Sequence, residues 1–372
     1  MKKNYLLIIA LIVIGGLVWY FEKQNPKIIA PGPDSAIHVN SPNKEEKAKM
    51  YEPAKELVGV QGFINSPALL GSDQPFKISD YIGKKVILVD FWTYSCINCQ
   101  RTTPYLNSWW DKYQDKGLLI IGVHTPEFDF EKEYNNVISG TNKLGIKYPV
   151  VQDNNYSTWT AYDNHYWPHK YLIDIDGFIV YDHIGEGGYK ETEMKIQELL
   201  NERMTVLGEE GKISESITQE KAGPSGVASQ ETYFGSNRND NFGSGQPGQS
   251  GTYTFQQPTS ISSSTLYFTG QWQIGGEYST NLSAGAKIIF KYNSKEVYFV
   301  GSSDAGVKIK VLQDGKPPIM SAGDDISKDS NSGGLIKESR LYKLINNSKP
   351  GEHTLEIIIE NSGLKAFTFT FG

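Results

Sequence analysis

The stretch Val89-Asp90-Phe91-Trp92-Thr93-Tyr94-Ser95-Cys96-Ile97-Asn98-Cys99-Gln100-Arg101-Thr102-Thr103-Pro104 holds both cysteines of a 372-residue chain, two residues apart. It continues an apolar run, residues 86–92, that reads as a buried strand, and it opens a helix-like segment over residues 97–115. Three chemistries use such a pair. Zinc needs four ligands, yet the chain has no second cysteine pair, and of its six histidines only His165 and His169 share a ligand-like spacing, with Pro168 between them. A structural disulfide gains stability by closing a long loop, and a two-residue gap closes almost none. A dithiol at a helix N-terminus fits better: the helix dipole and free N–H groups stabilise the first thiolate, and the second thiol resolves the mixed disulfide.

Outward from this block, strand-like and helix-like runs alternate. Apolar residues 118–123 are followed by a helical pattern over 128–144, then by the short run 148–151 and a helical stretch over 157–162. Runs 171–175 and 178–183, joined by Asp176-Gly177, read as a hairpin, and residues 190–204 as a last helix. Such alternation predicts an α/β sheet. Past Leu207 the composition turns to Gly, Ser, Gln and Thr, and then to short alternating strands over 265–268, 287–292, 297–300, 307–312, 353–359 and 366–371. These predict an all-β sandwich of jelly-roll type.

At the other end, Lys2 and Lys3 precede an uncharged run over residues 5–21, which as a helix is roughly 25 Å long. Its bulky close, Trp19-Tyr20-Phe21, offers no small-residue cleavage site, so it reads as an uncleaved signal anchor that leaves the rest of the chain outside the cytoplasm. The expected division is an anchor at 1–21, a flexible tether at 22–56, an α/β domain at 57–207, a linker at 208–230 and a β-sandwich at 231–372. The net charge of −6 and the absence of a dense Lys/Arg cluster exclude nucleic acid as a partner.

Asp90, Cys96, Cys99 and Pro104 together resemble the active-site block of the thioredoxin fold. The wider set 90–102, Gly122-Val123-His124-Thr125-Pro126-Glu127-Phe128, Tyr166-Trp167-Pro168 and His183-Ile184-Gly185-Glu186-Gly187 is similar to the soluble part of DipZ-type thiol-disulfide proteins in the TlpA/ResA-like group. Glu231-Thr232-Tyr233-Phe234-Gly235, Trp272-Gln273-Ile274 and residues 366–372 resemble that family's carbohydrate-binding-module-like domain. The resemblance implies a thioredoxin fold in which Cys96 is the nucleophile, Cys99 the resolving thiol and Asp90 a buried acid exchanging a proton with Cys99. It further implies a cis-proline at Pro168, a second acid at Glu127, and substrate contacts from Trp167, Trp92, Ile97 and Asn98.

The expected function is therefore an extracytoplasmic, membrane-anchored thiol-disulfide oxidoreductase, a reductase by family habit, with no cofactor beyond the Cys96–Cys99 couple. Its partners would be envelope protein thiols and disulfides. DipZ-type chains carry a multi-helix membrane domain and this chain has one anchor, so electrons would come from a separate membrane donor. Two alternatives stand beside this one: a thiol peroxidase of the same fold, and an envelope glycan-binding protein using Trp272, Tyr267, Tyr278 and Tyr298 as sugar platforms, with redox activity secondary. Asp174-x-Asp176-Gly177 lacks the other ligands of a calcium loop and reads as the hairpin turn.

Overall fold

The computed structural model describes residues 44–66, 75–219, 227 and 229–372. The expected anchor lies outside the described residues; among those described, no helix is long and apolar enough to cross a membrane.

The first half is built on a six-stranded sheet of order β1-β4-β3-β2-β5-β6, in which β1 is Gly62–Ile64, β2 Val86–Trp92, β3 Leu118–His124, β4 Val150–Gln152, β5 His169–Ile173 and β6 Ile179–Ile184. Strands β2, β3 and β4 run parallel, while β5, β6 and β1 are antiparallel to their neighbours. Every side chain of β2 is buried, as expected of a strand covered on both faces. Its alternation divides the core. Val86, Leu88 and Trp92 pack with Leu106 and Trp109 of the helix Ile97–Tyr113 and with Ile196 and Leu200 of the helix Tyr189–Leu207. Ile87, Val89 and Phe91 pack on the opposite face with Tyr162, Tyr171 and Phe76. Asp90 shares the parity of Val86, Leu88 and Trp92, so the sheet aims its carboxyl under the helix that begins at the cysteine pair. Gly177, at φ +90°, makes the β5–β6 turn that Asp176-Gly177 predicted.

Two expected boundaries need correction. Residues 44–56 are not free tether: Lys44–Met50 is helical, and Lys47, 3% exposed, sets its Nζ 2.6 Å from Asp174, 2.7 Å from Asp176 and 2.6 Å from Glu202. Composition gave no sign of this because the partners lie on the β5–β6 hairpin and the last helix. Part of the expected linker also packs back, with Ile213 buried and the Thr218 N–H donating to Glu193.

The second half is a β-rich sandwich of strands β7 to β15: Thr232–Tyr233, Gly251–Phe255, Leu266–Ile274, Ser279–Asn281, Lys287–Ser302, Val307–Gln313, Gly333–Ile336, Arg340–Ile359 and Lys365–Phe371. Its two long strands, β11 and β14, pair along most of their length through bulges near Ser294 and Val297, which let them bend from one layer to the next. Phe234, Phe268, Trp272, Phe290, Phe299 and Phe369 fill the interior. The two halves share a smaller core in which Ile97 and Phe128 meet Tyr298, Val300, Leu341 and Phe367.

Candidate active site

The site forms where β2 ends and the helix Ile97–Tyr113 begins. Cys96 is the N-cap, in extended backbone, and its Sγ accepts the N–H of Cys99 at 3.4 Å. The cap thus directs an otherwise unpaired helix N–H at the Cys96 sulfur, an arrangement that favours its thiolate form. Cys96 is partly exposed and Cys99 is buried. Burial raises the Cys99 thiol well above the usual range, and the charges of Cys96 and Asp90 raise it further. Pro104 sits inside this helix.

Behind Cys99 lies Asp90, 2% exposed, with its Oδ1 unbonded. Burial lifts its pKa to about 7, opposed by the Lys170 charge. Lys170 stands directly opposite Asp90 in the β2–β5 register, is fully buried, and donates to the Gly185 carbonyl at 3.0 Å. Burial lowers its pKa. A carboxyl with a pKa near 7 beside a buried thiol is suited to general base work. Lys170 escaped the sequence reading, although a lone cation inside an apolar strand two residues after Pro168 was a usable sign.

The Trp167–Pro168 peptide bond is cis and immediately precedes β5. Trp167 lines the cleft at Cys96, packs against Trp159 at 4.4 Å and donates its Nε1–H to the Thr125 carbonyl. His169 is held by Asn164 at 2.6 Å and Asp182 at 3.0 Å, facing away from chemistry. Asn98 lines the cleft. Trp92 does not: it is 1% exposed and its ring meets His124 edge-on inside the core, so it has no surface for a substrate. The even parity of β2 that aims Asp90 inward aims Trp92 inward too. Ile97, 6% exposed, packs against Tyr298, Val300, Leu341 and Phe367 of the β half and still lines the cleft beside Asn98.

Glu127 does reach the cleft, where its Oε1 accepts from Tyr233 at 2.9 Å and from Arg238 at 2.8 Å. The acid nearer the cysteine backbone is Glu131. Fully buried, it accepts from Ser95 Oγ at 2.5 Å, from the Glu127 N–H at 2.6 Å and from the Phe128 N–H at 3.0 Å. Burial raises its pKa to about 7, helped by the neighbouring Glu127 charge and opposed by hydrogen bonds from Ser95, Thr93 and the Phe128 N–H. Ser95 adjoins Cys96 in the chain, so Glu131 ties the turn that leads into Cys96 to the segment that carries Glu127. His124, also fully buried, is kept neutral by burial, with its pKa lowered to about 3.

The aromatic platforms expected for sugar are mostly interior. Trp272 is fully buried and stacks on Phe268 at 4.1 Å, Tyr267 and Tyr298 are buried, and Tyr278 packs on Phe367 at 5.0 Å. Sandwich packing claimed these rings because a β interior is where large flat side chains bury the most area.

Residues 64–182 match the AhpC/TSA family and residues 229–372 the thioredoxin-like C-terminal domain family. DipZ proteins of Mycobacterium bovis and Mycobacterium tuberculosis are 36% identical over 319 residues, 86% of this chain and 43% of theirs; the chain thus spans under half the length of these relatives. Thiol-disulfide oxidoreductase ResA of Bacillus thuringiensis is 32% identical over 134 residues, covering 33% of this chain and 75% of ResA. A thioredoxin-like protein solved in its oxidised form is 27% identical, with a TM-score of 0.36 over 41% of this chain and 98% of its own. With its dithiol at the N-cap of a helix laid over a buried acid, and with ResA matched over three quarters of its length, the chain belongs to the thioredoxin-like thiol-disulfide oxidoreductases of the ResA and DipZ kind.

Proposed function

We propose that this protein is an extracytoplasmic thiol-disulfide oxidoreductase, anchored through residues 1–21, that reduces disulfides of client proteins with the Cys96/Cys99 pair. The observation that carries this reading is the Cys96 Sγ accepting the Cys99 N–H at 3.4 Å with buried Asp90 on the sheet beneath. The Cys96 thiolate attacks a client disulfide, forming a Cys96–client bond while the client's other sulfur leaves as a thiolate. Asp90 takes the Cys99 proton, and the Cys99 thiolate attacks Cys96 Sγ. The second client sulfur then departs, and a Cys96–Cys99 disulfide remains. Two electrons have passed to the client, and a separate dithiol donor must return them.

The buried, high-pKa Cys99 fits the resolving role, because it stays protonated until Cys96 is engaged. The test is the reduction potential of the pair, equilibrated against dithiothreitol or glutathione buffers. A value near or below about −250 mV supports a reductase; one above about −180 mV makes the protein an oxidant and sinks this reading.

A further inference from the structure

The nucleophile does not stand on an open face. Cys96 lies in a cleft of about 150 Å³ whose near side is formed by Cys96, Glu127 and Trp167 and whose far side is formed by Tyr233, Arg238 and Val300 of the β half. That is half or less of the volume of an ordinary small-molecule pocket, roughly 300 Å³ at the least. Ile97, the residue after Cys96, packs against the same half and lines the cleft together with Val300.

This far side is seated firmly. Phe367 packs edge-on against Phe128 at 5.1 Å and Phe130 at 4.8 Å. Polar ties surround that apolar centre: Arg238 to Glu127 at 2.8 Å, Arg101 to Glu296 at 3.4 Å, the Asp129 N–H to Glu277 at 3.1 Å and the Tyr94 hydroxyl to the Ser339 carbonyl at 3.2 Å. The Arg238 guanidinium also lies over the Tyr233 ring, 3.7 Å from its centroid. An apolar centre with a paired polar rim is the anatomy of a lasting interface.

We propose that the β half is a fixed wall that admits to Cys96 only disulfides carried on an extended chain, so that clients are reduced while unfolded and not at the surface of a folded domain. This rests on the oxidoreductase reading above. A folded partner docks through roughly 800 Å² of its surface, and the wall occupies one flank of the ground on which such a face would land. An extended chain needs only a strand's width, about 5 Å. The remaining flank is Trp167–Pro168, where neither backbone group of Trp167 has a hydrogen-bond partner among the described residues. A strand laid there can pair with Trp167 and lower its cysteine between Trp167 and Tyr233. The exchange itself is unchanged, two electrons passing from the Cys96/Cys99 dithiol to the client's disulfide.

The test uses the full-length protein in its dithiol form, in single turnover, with oxidation of the pair read by alkylation and mass spectrometry. Three oxidants are compared: oxidised glutathione, a linear peptide with one internal disulfide, and a folded domain with one surface disulfide. Each rate is divided by the same oxidant's rate with dithiothreitol. The peptide is expected to exceed the folded domain by at least 100-fold. Tyr233→Ala, which thins the wall, and Phe367→Ala, which loosens its seat, are each expected to shrink that ratio at least tenfold. A ratio within threefold of unity in the wild type, or one that neither variant moves, overturns the wall. If oxidised glutathione does not oxidise the pair at all, the oxidoreductase reading fails first and the wall falls with it.

Discussion

Replacing Asp90 by Asn separates what the buried acid costs from what it does. The carboxyl is 2% exposed with one oxygen unbonded, and burial moves its pKa from 3.8 to about 7. An acid whose folded pKa stands above its unfolded one holds more protons folded than unfolded, so stability falls as pH rises through that window. The loss begins near pH 4, is complete just above pH 7, and at about 1.4 kcal/mol per pH unit is on the order of 4 kcal/mol. Asn has the same shape and no charge to bury. Urea midpoints measured from pH 4 to pH 9 are therefore expected to converge at the acid end and to favour Asp90→Asn by a few kcal/mol at pH 8. The same variant is expected to lose the proton acceptor for Cys99, slowing resolution roughly 10²- to 10⁴-fold, so that mixed disulfide between Cys96 and a client accumulates and can be trapped by acid quench. An Asp90→Asn protein less stable than wild type at pH 8, or one that resolves the mixed disulfide at the wild-type rate, would refute the reasoning.

Three further outcomes follow from the same geometry. Glu131→Gln can keep all three contacts, its oxygen accepting the N–H groups of Glu127 and Phe128 and its amide donating to Ser95. Because the Glu131 pKa is raised to about 7, the variant is expected to fold and to remove the part of the stability loss between about pH 4.5 and pH 7 that survives in Asp90→Asn, as read by the same urea midpoints. Lys47→Ala strips the cation from Asp174, which is fully buried, and is expected to cost about 3–5 kcal/mol in the same assay, with the Lys44–Met50 helix becoming open to proteolysis first. Trp272→Ala is expected to destabilise the protein by about 3–5 kcal/mol through the cavity left beside Phe268, and isothermal titration should find no sugar affinity that depends on this ring.

What the sequence disclosed and what it hid divide by range. Cys96, Cys99 and Asp90 are bound by short covalent offsets, and the two-residue period of a strand is enough to aim Asp90 beneath the helix that Cys96 caps. Trp92 shows the same rule overlooked: parity with Asp90 buries it. Glu131 was missed because what makes it a site residue is Ser95, 36 positions earlier in the chain, and no local pattern joins them. Lys47 is a stronger case, since its partners Asp174 and Glu202 lie 127 and 155 positions away, and a polar, lysine-rich stretch reads as solvated unless three carboxylates are known to converge on it. Strands β9, β11, β12, β14 and β15 were legible as strands, but which rings faced inward was not, because alternation fixes opposite faces without saying which one the second layer covers.

The same long-range placement changes how the cysteine pair works. In the sequence, Cys96-Ile97-Asn98-Cys99 reads as four residues offered together at a surface. In the fold, Ile97 and Cys99 are buried, Cys96 is partly open, and the ground beside it is shared between Trp167 from one half and Tyr233 and Arg238 from the other. Two acids with pKa values near 7 lie inside the thioredoxin half at different places: Asp90 beneath Cys99, and Glu131 bonded both to Ser95, next to Cys96, and to the backbone of the cleft's Glu127. Asp90 has an unbonded oxygen and so can receive a proton without breaking a contact. Glu131 already accepts from the Ser95 hydroxyl and from the N–H groups of Glu127 and Phe128, so protonating it must reverse the Ser95 hydrogen bond. The first arrangement suits proton transfer and the second suits holding the cleft in shape, which is why the two substitutions should agree in the pH profile of stability and part company in the rate of resolution.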